Sequence, residues 1–258
     1  MGSFRSYGGA RLNLGGQMSP AIKAIMIACT AVFFAHTVAG LFSPQAYEFI
    51  LWWFGLRPRG VVPGLAIWQP FTYLFLHGGI FHLLFNMLVL WMFGTDIERV
   101  WGRRRFYFYY FLTGVGAALI NVASKWVVYP ANHGALQIPT IGASGAIYGV
   151  LVAAALVFPD RHIWIIPFPV TLPMRVYVLI LAAITFYFSI QGSGDNVSHL
   201  SHLSGMLIGY LYLRRGSYFY RLRNNYSDWQ RRRLARRFEV YKRRHEDRPP
   251  SRPDDWVH

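Results

Sequence analysis

Six apolar segments dominate the hydrophobic pattern of the chain. A helix needs about 20 apolar residues to cross the hydrocarbon core of a bilayer. The pattern therefore predicts an all-α membrane protein with six transmembrane helices. The fourth and sixth segments are short and rich in small residues, which is typical of helices whose ends are buried in protein. The segments cover approximately residues 22–42, 71–93, 106–124, 142–158, 174–191 and 197–213.

The first connection, at about residues 43–70, is too long and too apolar for a simple loop. It contains an uninterrupted apolar run from Phe49 to Phe54, which includes Trp52 and Trp53. Tryptophan rings prefer the headgroup depth of a bilayer. We therefore expect this first loop to be embedded in the membrane interface.

The composition agrees with a membrane environment. The 258 residues are 54% hydrophobic and 14% charged, whereas a typical soluble domain has about 25% charged residues. The single cysteine, Cys29, excludes an intrachain disulfide and a thiolate metal cage. Residues 1–19 do not have the pattern of a cleavable signal peptide, so the first span is expected to act as its own insertion signal.

The distribution of basic residues predicts the topology. Lys and Arg total 26, Asp and Glu total 11, and the net charge is +15. If the N-terminus is cytoplasmic, 23 of the 26 basic residues lie in cytoplasmic segments, and only Arg57, Arg59 and Lys125 lie outside. Because cytoplasmic loops of membrane proteins carry an excess of Lys and Arg, both termini are expected in the cytoplasm.

The same pattern divides the chain into three parts. We predict a cytoplasmic N-terminal segment at 1–19, a membrane domain at 20–214 and a basic cytoplasmic tail at 215–258. The tail mixes arginine with aromatic and apolar residues at helical spacing. We interpret it as a surface helix on anionic lipid rather than a nucleic-acid-binding arm. The expected partner of the tail is therefore membrane lipid and not nucleic acid.

Polar side chains inside the apolar segments are the candidate functional residues, because such groups are costly at membrane depth. In the predicted topology they all lie toward the outer side, so they can converge on one site. They are His77, His82 and Asn86 in the second segment, Ser144 and Tyr148 in the fourth, and His199 and His202 in the sixth.

Ser144 and His202 can form a nucleophile and its base. A serine hydroxyl is a weak nucleophile until a neighbouring base takes its proton, and histidine is the usual base near neutral pH. Ser144 begins its segment, where the free backbone N–H groups of a helix can stabilise an oxyanion. His82 and Asn86 share a helix face and can add side-chain donors to the same oxyanion.

Glycine spacing predicts how the fourth and sixth helices meet. Each contains a small-xxx-small pattern, which lets helix backbones approach closely in lipid. Tyr148, one turn after Ser144, would then pack on the imidazole of His202. The sixth segment has no acidic residue near His202, so a Ser-His dyad is the simpler expectation. The glycine pairs are Gly145 with Gly149 and Gly205 with Gly209.

Other interpretations exist for each residue alone. A serine in a membrane helix usually packs or bonds to its own backbone, and isolated histidines can line a pore or relay protons. The histidine pairs could also bind a metal, but the sequence has no H-E-x-x-H and no acidic residue accompanies them within the spans. We therefore expect no metal and no cofactor.

In these residues the chain resembles the rhomboid family of intramembrane serine proteases. Four motifs in the same order along residues 82–209 carry the resemblance. They are H-x-x-x-N at His82–Asn86, G-x-x-x-E-x-x-x-G at Gly94–Gly102, G-x-S-G at Gly142–Gly145 and H-x-x-G-x-x-x-G at His202–Gly209.

The resemblance implies a rhomboid-like bundle of six helices with serine endopeptidase activity. Substrates would be single-span membrane proteins whose helix unwinds into a water-accessible cavity, and the second and fifth helices would form a side entrance. The implied roles are Ser144 as nucleophile, His202 as base and then acid, His82, Asn86 and the Ser144 N–H as oxyanion donors, Tyr148 and Gly142 as support, and Glu98 as a structural residue.

The chain departs from the family pattern at one position. Many members have Trp-Arg in the first loop, whereas here Trp68 is followed by Gln69, so the charge that helps to anchor that loop is absent at this position.

Two alternatives to a protease are a non-catalytic rhomboid-like protein that binds client helices and a transporter with histidine relays. The expected location is a bacterial inner membrane.

Overall fold

The computed structural model describes residues 17–129, 132, 134–165, 170–191 and 199–215. The chain divides into two compact units, Met1–Leu211 and Tyr212–His258. Most of the second unit lies outside the described residues, as does most of the predicted N-terminal segment. The domain boundaries and the surface helix in the tail therefore stay predictions.

Helices dominate the described part of the chain. A 3-10 turn at Tyr73–Phe75 follows α4, and a π-helical turn at Leu90–Gly94 joins α5 to α6. The helices are α1 (Pro20–Phe42), α2 (Pro44–Phe54), α3 (Pro58–Val61), α4 (Gln69–Thr72), α5 (Ile80–Val89), α6 (Thr95–Trp101), α7 (Arg103–Val128), α8 (Ser144–Val157), α9 (Met174–Gln191) and α10 (199–215).

Three helical stretches in the described residues are long and apolar enough to cross a membrane. They are Pro20–Phe42, Ile80–Trp101 and Arg103–Val128. Two shorter apolar helices are Ser144–Val157 and Met174–Ile190. The predicted helical membrane protein is thus confirmed at this level, and the count of six spans stays a prediction.

The boundary between α1 and α2 follows from local sequence. The N–H of Ser43 donates to the carbonyl of Ala39 at the end of α1, and the Oγ of Ser43 accepts from the N–H of Ala46 in the first turn of α2. Ser43 therefore caps α2, and Pro44 follows at the first helical position, where its missing N–H costs nothing. Phe49, Trp52 and other large side chains of α2 remain exposed.

The second apolar segment differs from the prediction. Continuous hydropathy predicts one helix over 71–93, but the helix breaks at 76–79, restarts at Ile80 and continues to Trp101. The break contains Gly78 and Gly79, which disfavour helix because glycine loses the most backbone entropy. As a result, His77 lies in the connection before α5 and not on the helix that carries His82.

A short β-hairpin between α8 and α9 was not predicted. Strand β1 (His162–Ile165) pairs antiparallel with β2 (Val170–Pro173). Each strand has only 4 residues, so the alternating pattern is too brief to separate from a loop. The N–H of Met174 donates to the carbonyl of Arg161, which links the start of α9 to the beginning of the hairpin.

Glycine contacts hold α8 between α7 and α10. A Cβ atom built on Gly149 would lie 2.6 Å from the Cβ of Thr113 on α7, and one on Gly205 would lie 1.9 Å from the carbonyl oxygen of Gly145. The Tyr109 hydroxyl on α7 donates to the carbonyl of Gly149 at 2.7 Å. The close helix approach predicted from the small-xxx-small pattern is therefore present, and it fixes the position of Ser144.

Glu98 stabilises the start of α1. Its buried carboxylate accepts from the backbone N–H groups of Ala21 at 3.0 Å and Ile22 at 3.2 Å, and from the hydroxyl of Ser19. These N–H groups have no partners within the helix, so an acidic side chain there satisfies them and complements the helix dipole. Glu98 thus has the structural position that the resemblance implied.

Candidate active site

Ser144 is the first residue of α8, and its side chain meets His202 on α10. The Oγ of Ser144 lies 2.7 Å from Nε2 of His202. This is hydrogen-bond distance for a hydroxyl donor and an imidazole acceptor. Of the predicted site residues, these two therefore lie within hydrogen-bond distance of each other.

Tyr148 lies one turn after Ser144 and covers the imidazole. Its ring centroid is 4.3 Å from that of His202, and the two rings are inclined by only 3°. Nδ1 of His202 is buried, and no hydrogen-bond partner for it is found in the described part of the chain. Within those residues, stacking on Tyr148 and the Ser144 contact set the orientation of the ring.

The absence of a side chain at Gly142 leaves space for the His82 ring on the side of Ser144. Gly142 has φ of 123°, which is unfavourable for residues with a side chain. A Cβ built there would lie 2.8 Å from Cε1 and 2.9 Å from Nε2 of His82, and 3.8 Å from Oγ of Ser144. The space left by the missing side chain of Gly142 therefore lies between His82 and Ser144.

The hydrogen bonds that His82 and Asn86 already make determine which of their side-chain N–H groups can donate to another acceptor. Nδ1 of His82 faces the N–H of Gly78 at 3.4 Å, which favours the tautomer with the proton on Nε2, on the Gly142 side. Nδ2 of Asn86 donates to the carbonyl of His82 at 2.8 Å. The Asn86 amide is therefore held by its own helix, and its second N–H hydrogen is available for another acceptor.

The other two predicted histidines, His77 and His199, lie beside His82 and His202. His77 is buried and its ring is 5.2 Å from that of His82 in an edge-on arrangement. His199 is 6.1 Å from His202, and it stacks on Phe188 of α9 at 5.4 Å. No cluster of three or more metal-ligating side chains occurs among the described residues.

One polar contact beside the site was missed from the sequence. Nδ2 of Asn121 on α7 lies 2.9 Å from Oγ of Ser201, the residue before His202, and both side chains are buried. Asn121 is a strongly polar residue inside the third apolar segment, and this position alone could have identified it as a candidate functional residue. The contact links α7 to the turn of α10 that carries the imidazole.

The first loop is anchored despite the absence of arginine after Trp68. Gln69 is fully buried; its Oε1 accepts from the N–H of Arg57 at 3.0 Å, and its Nε2 donates to the carbonyl of Trp52 at 3.2 Å. The Arg57 side chain donates to the same Trp52 carbonyl through Nε at 2.9 Å. A glutamine and an arginine twelve residues apart therefore hold this loop together.

The chain belongs to the rhomboid family of membrane proteins. The sequence model of the Rhomboid domain matches residues 64–218, which is more than half of the chain. This range contains the Ser144–His202 pair and most of the helices described above. The family and the apolar helices together make the chain an integral membrane protein.

Several named rhomboid proteins are similar to it. Rhomboid protease GluP of Bacillus subtilis (strain 168) is 30% identical over 61% of this chain and 27% of its own length. Rhomboid protein 1, mitochondrial, of Saccharomyces cerevisiae is 34% identical over 54% of this chain and 38% of its own. Putative rhomboid protease YdcA of B. subtilis is 26% identical over 66% of this chain and 78% of its own. The chain thus spans less than half of the first two relatives, and the family includes proteins named as proteases.

Proposed function

We propose that this chain is an intramembrane serine endopeptidase that uses a dyad of Ser144 and His202. The observation that carries the proposal is the 2.7 Å contact between the Ser144 hydroxyl and Nε2 of His202. A buried packing serine would not need an imidazole at this distance. The family relationship, which includes proteins named as proteases, supports the same reaction.

In the proposed acylation step, Ser144 Oγ attacks the carbonyl carbon of the scissile peptide bond while its proton passes to His202 Nε2. The resulting oxyanion accepts from the backbone N–H of Ser144, Nε2–H of His82 and the second N–H of Asn86. His202 then gives its proton to the leaving nitrogen, which breaks the C–N bond and leaves an acyl-enzyme on Ser144.

In the deacylation step, His202 takes a proton from a water molecule, whose oxygen attacks the ester carbonyl. Collapse of the second tetrahedral intermediate returns the proton to Ser144 Oγ and releases the new carboxyl end. The dyad needs no cofactor for these steps. The stacked Tyr148 ring keeps the imidazole in one orientation through both steps, because the two rings lie face to face.

We also propose the substrate class and the location. Substrates are single-span membrane proteins whose helix unwinds to reach Ser144, and the surrounding partner is lipid rather than nucleic acid. The bacterial relatives and the 23 to 3 distribution of basic residues support an inner membrane with both termini in the cytoplasm.

The deciding experiment compares Ser144→Ala with Ser124→Ala in liposomes that contain a single-span substrate. The Ser124 hydroxyl donates to a backbone carbonyl of its own helix, so this variant makes the same chemical change away from the dyad. We expect Ser144→Ala to lose at least about a thousandfold in cleavage rate, as typical for nucleophile removal, and Ser124→Ala to keep most of it.

A fluorophosphonate probe gives a second readout that needs no substrate. It should label wild type and Ser124→Ala and fail to label Ser144→Ala. Cleavage retained by Ser144→Ala would rule out the assigned nucleophile. A wild-type chain that is folded but neither cleaves nor reacts with the probe would instead favour the non-catalytic client-binding function.

A further inference from the structure

A cavity of about 260 Å³ lies in the first loop, apart from the Ser144 site. We call it the first-loop pocket. Its lining includes side chains from the end of α2, from α3 and α4, and from the segment before α8. The polar and aromatic residues that matter for its chemistry are Trp52, Arg57, Arg59, Trp68, Gln69 and Gln137.

The positive charge of Arg57 in this pocket is not neutralised by the protein. Its Cζ lies 3.5 Å from the centre of the Trp52 ring, and its Nη1 donates to Oε1 of Gln137 at 3.2 Å. These partners are neutral, and no carboxylate lies within ion-pair distance of Arg57 among the described residues. Buried charges are normally paired, so the pocket favours an anion.

A second arginine adds positive charge to the pocket, and a glycine leaves space in it for an anion. Arg59 also lines the pocket, and it is exposed, so its guanidinium can move toward a ligand. A Cβ built on Gly60 would lie 2.7 Å from Oε1 of Gln69 and 3.3 Å from Nη2 of Arg57. Glycine at this position therefore keeps the pocket open beside the buried guanidinium.

The surroundings of the pocket indicate where the anion comes from. Trp53 stacks on Trp68 at 6.1 Å, and both are exposed together with Trp52 and Phe54. Exposed tryptophans prefer the headgroup region of a bilayer. Phosphate is the anion of that region, and arginine forks match phosphate oxygens with paired hydrogen bonds.

We propose that the first-loop pocket binds the phosphate group of an outer-leaflet phospholipid through Arg57 and Arg59. The acyl chains of that lipid lie along the exposed aromatic face of α2. This site is separate from proteolysis, so it can be tested whether or not Ser144 is the nucleophile.

The test uses the full chain in an uncharged maltoside detergent, titrated with short-chain phosphatidylglycerol and followed by tryptophan fluorescence. We expect saturable binding. Arg57→Gln and Arg59→Gln should each weaken it at least about tenfold, because each removes a charged hydrogen-bond donor to phosphate. Arg104→Gln removes an exposed arginine at the start of α7 and should leave the affinity unchanged.

Two further ligands distinguish the source of the phosphate. Diacylglycerol with the same acyl chains lacks the phosphate and should bind at least about tenfold more weakly. Inorganic phosphate should compete only weakly, since it lacks the chains; binding as tight as that of the lipid would overturn the lipid assignment.

The proposal also fails if diacylglycerol binds as well as phosphatidylglycerol, or if Arg59→Gln binds like wild type. Arg57 supports the loop as well as lining the pocket, so Arg57→Gln can lose its fold. In that case Arg59→Gln and the diacylglycerol comparison still decide, because no hydrogen bond from the exposed Arg59 side chain to described residues is broken.

Discussion

At the scale of single residues, Gly142 has two separate reasons to be glycine. Its φ of 123° lies where a side chain is strained, and a Cβ atom would meet the His82 ring at 2.8 Å. The first reason concerns stability, at about 1–3 kcal/mol for such a backbone conformation. The second concerns the proposed chemistry, because the displaced ring would carry its donor away from Ser144.

We therefore predict that Gly142→Ala lowers kcat/KM at least about tenfold, which corresponds to about 1.4 kcal/mol in the transition state. The measurement is single-substrate cleavage in liposomes, alongside a thermal unfolding curve. Gly79→Ala is the control, because Gly79 has an extended φ of 178° and no atom within 4 Å of its built Cβ. If the two variants cleave equally fast, the geometric argument about His82 is wrong.

Some contacts of individual site residues could be predicted from sequence motifs, and others could not. The pairing of Ser144 with His202 and the role of Tyr148 as a stacking partner were predicted from polar positions and spacing, and both contacts are present. Asn121 was missed because it belongs to no motif, although it is buried beside the site. Gln69 was interpreted only as a lost charge, since the compensating contact with Arg57 depends on the folded loop.

At the scale of elements, the helix contact between α8 and α10 is set by glycine. The built Cβ of Gly205 comes within 1.9 Å of the Gly145 carbonyl oxygen, which is backbone and cannot turn aside. Gly116 on α7 also faces α10, but its built Cβ meets only the Ile208 side chain at 3.0–3.4 Å. Side chains can change rotamer, so the second contact is more tolerant.

Gly205→Ala should therefore separate α10 from α8 and move His202 away from Ser144. We expect a loss of about 1–3 kcal/mol in stability, typical of an overpacked core, together with a strong fall in fluorophosphonate labelling. Gly116→Ala should give a smaller change in both. The readouts are the thermal midpoint in detergent and the rate of probe labelling; equal effects of the two variants would contradict this ranking.

Element boundaries were the least predictable part of the fold. Hydropathy identified α1 and α7 because their apolar runs are long and contain few polar residues. The break before Ile80 was hidden, since Gly78 and Gly79 stand within an otherwise apolar run, and neither residue changes the average hydropathy enough. Helix propensities do not distinguish a π-helical turn from an α-helix, so the turn at Leu90–Gly94 was not predicted.

At the scale of the whole molecule, the charges near α6 form a connected group. Arg161, before the hairpin, pairs with Asp96, while Arg99 donates to the carbonyl of Gln17 at 2.7 Å. Glu98 of α6 also accepts from the N–H of Ala21 at the start of α1. These contacts therefore join the hairpin, α6 and α1. The family motif implied a structural role for Glu98, but the sequence could not show which partners Glu98, Asp96 and Arg161 would meet.

The buried position of Cys29 has a practical consequence for the whole chain. It is the only thiol in the sequence, it has no exposed surface, and its Sγ lies 3.8 Å from the carbonyl oxygen of Leu74. This chain thus carries a single internal thiol that can report opening of the fold. A maleimide should modify it slowly in mild detergent and quickly after denaturation, as followed by mass spectrometry. Rapid modification of the native chain would mean that α1 separates from its neighbours far more often than its packing implies.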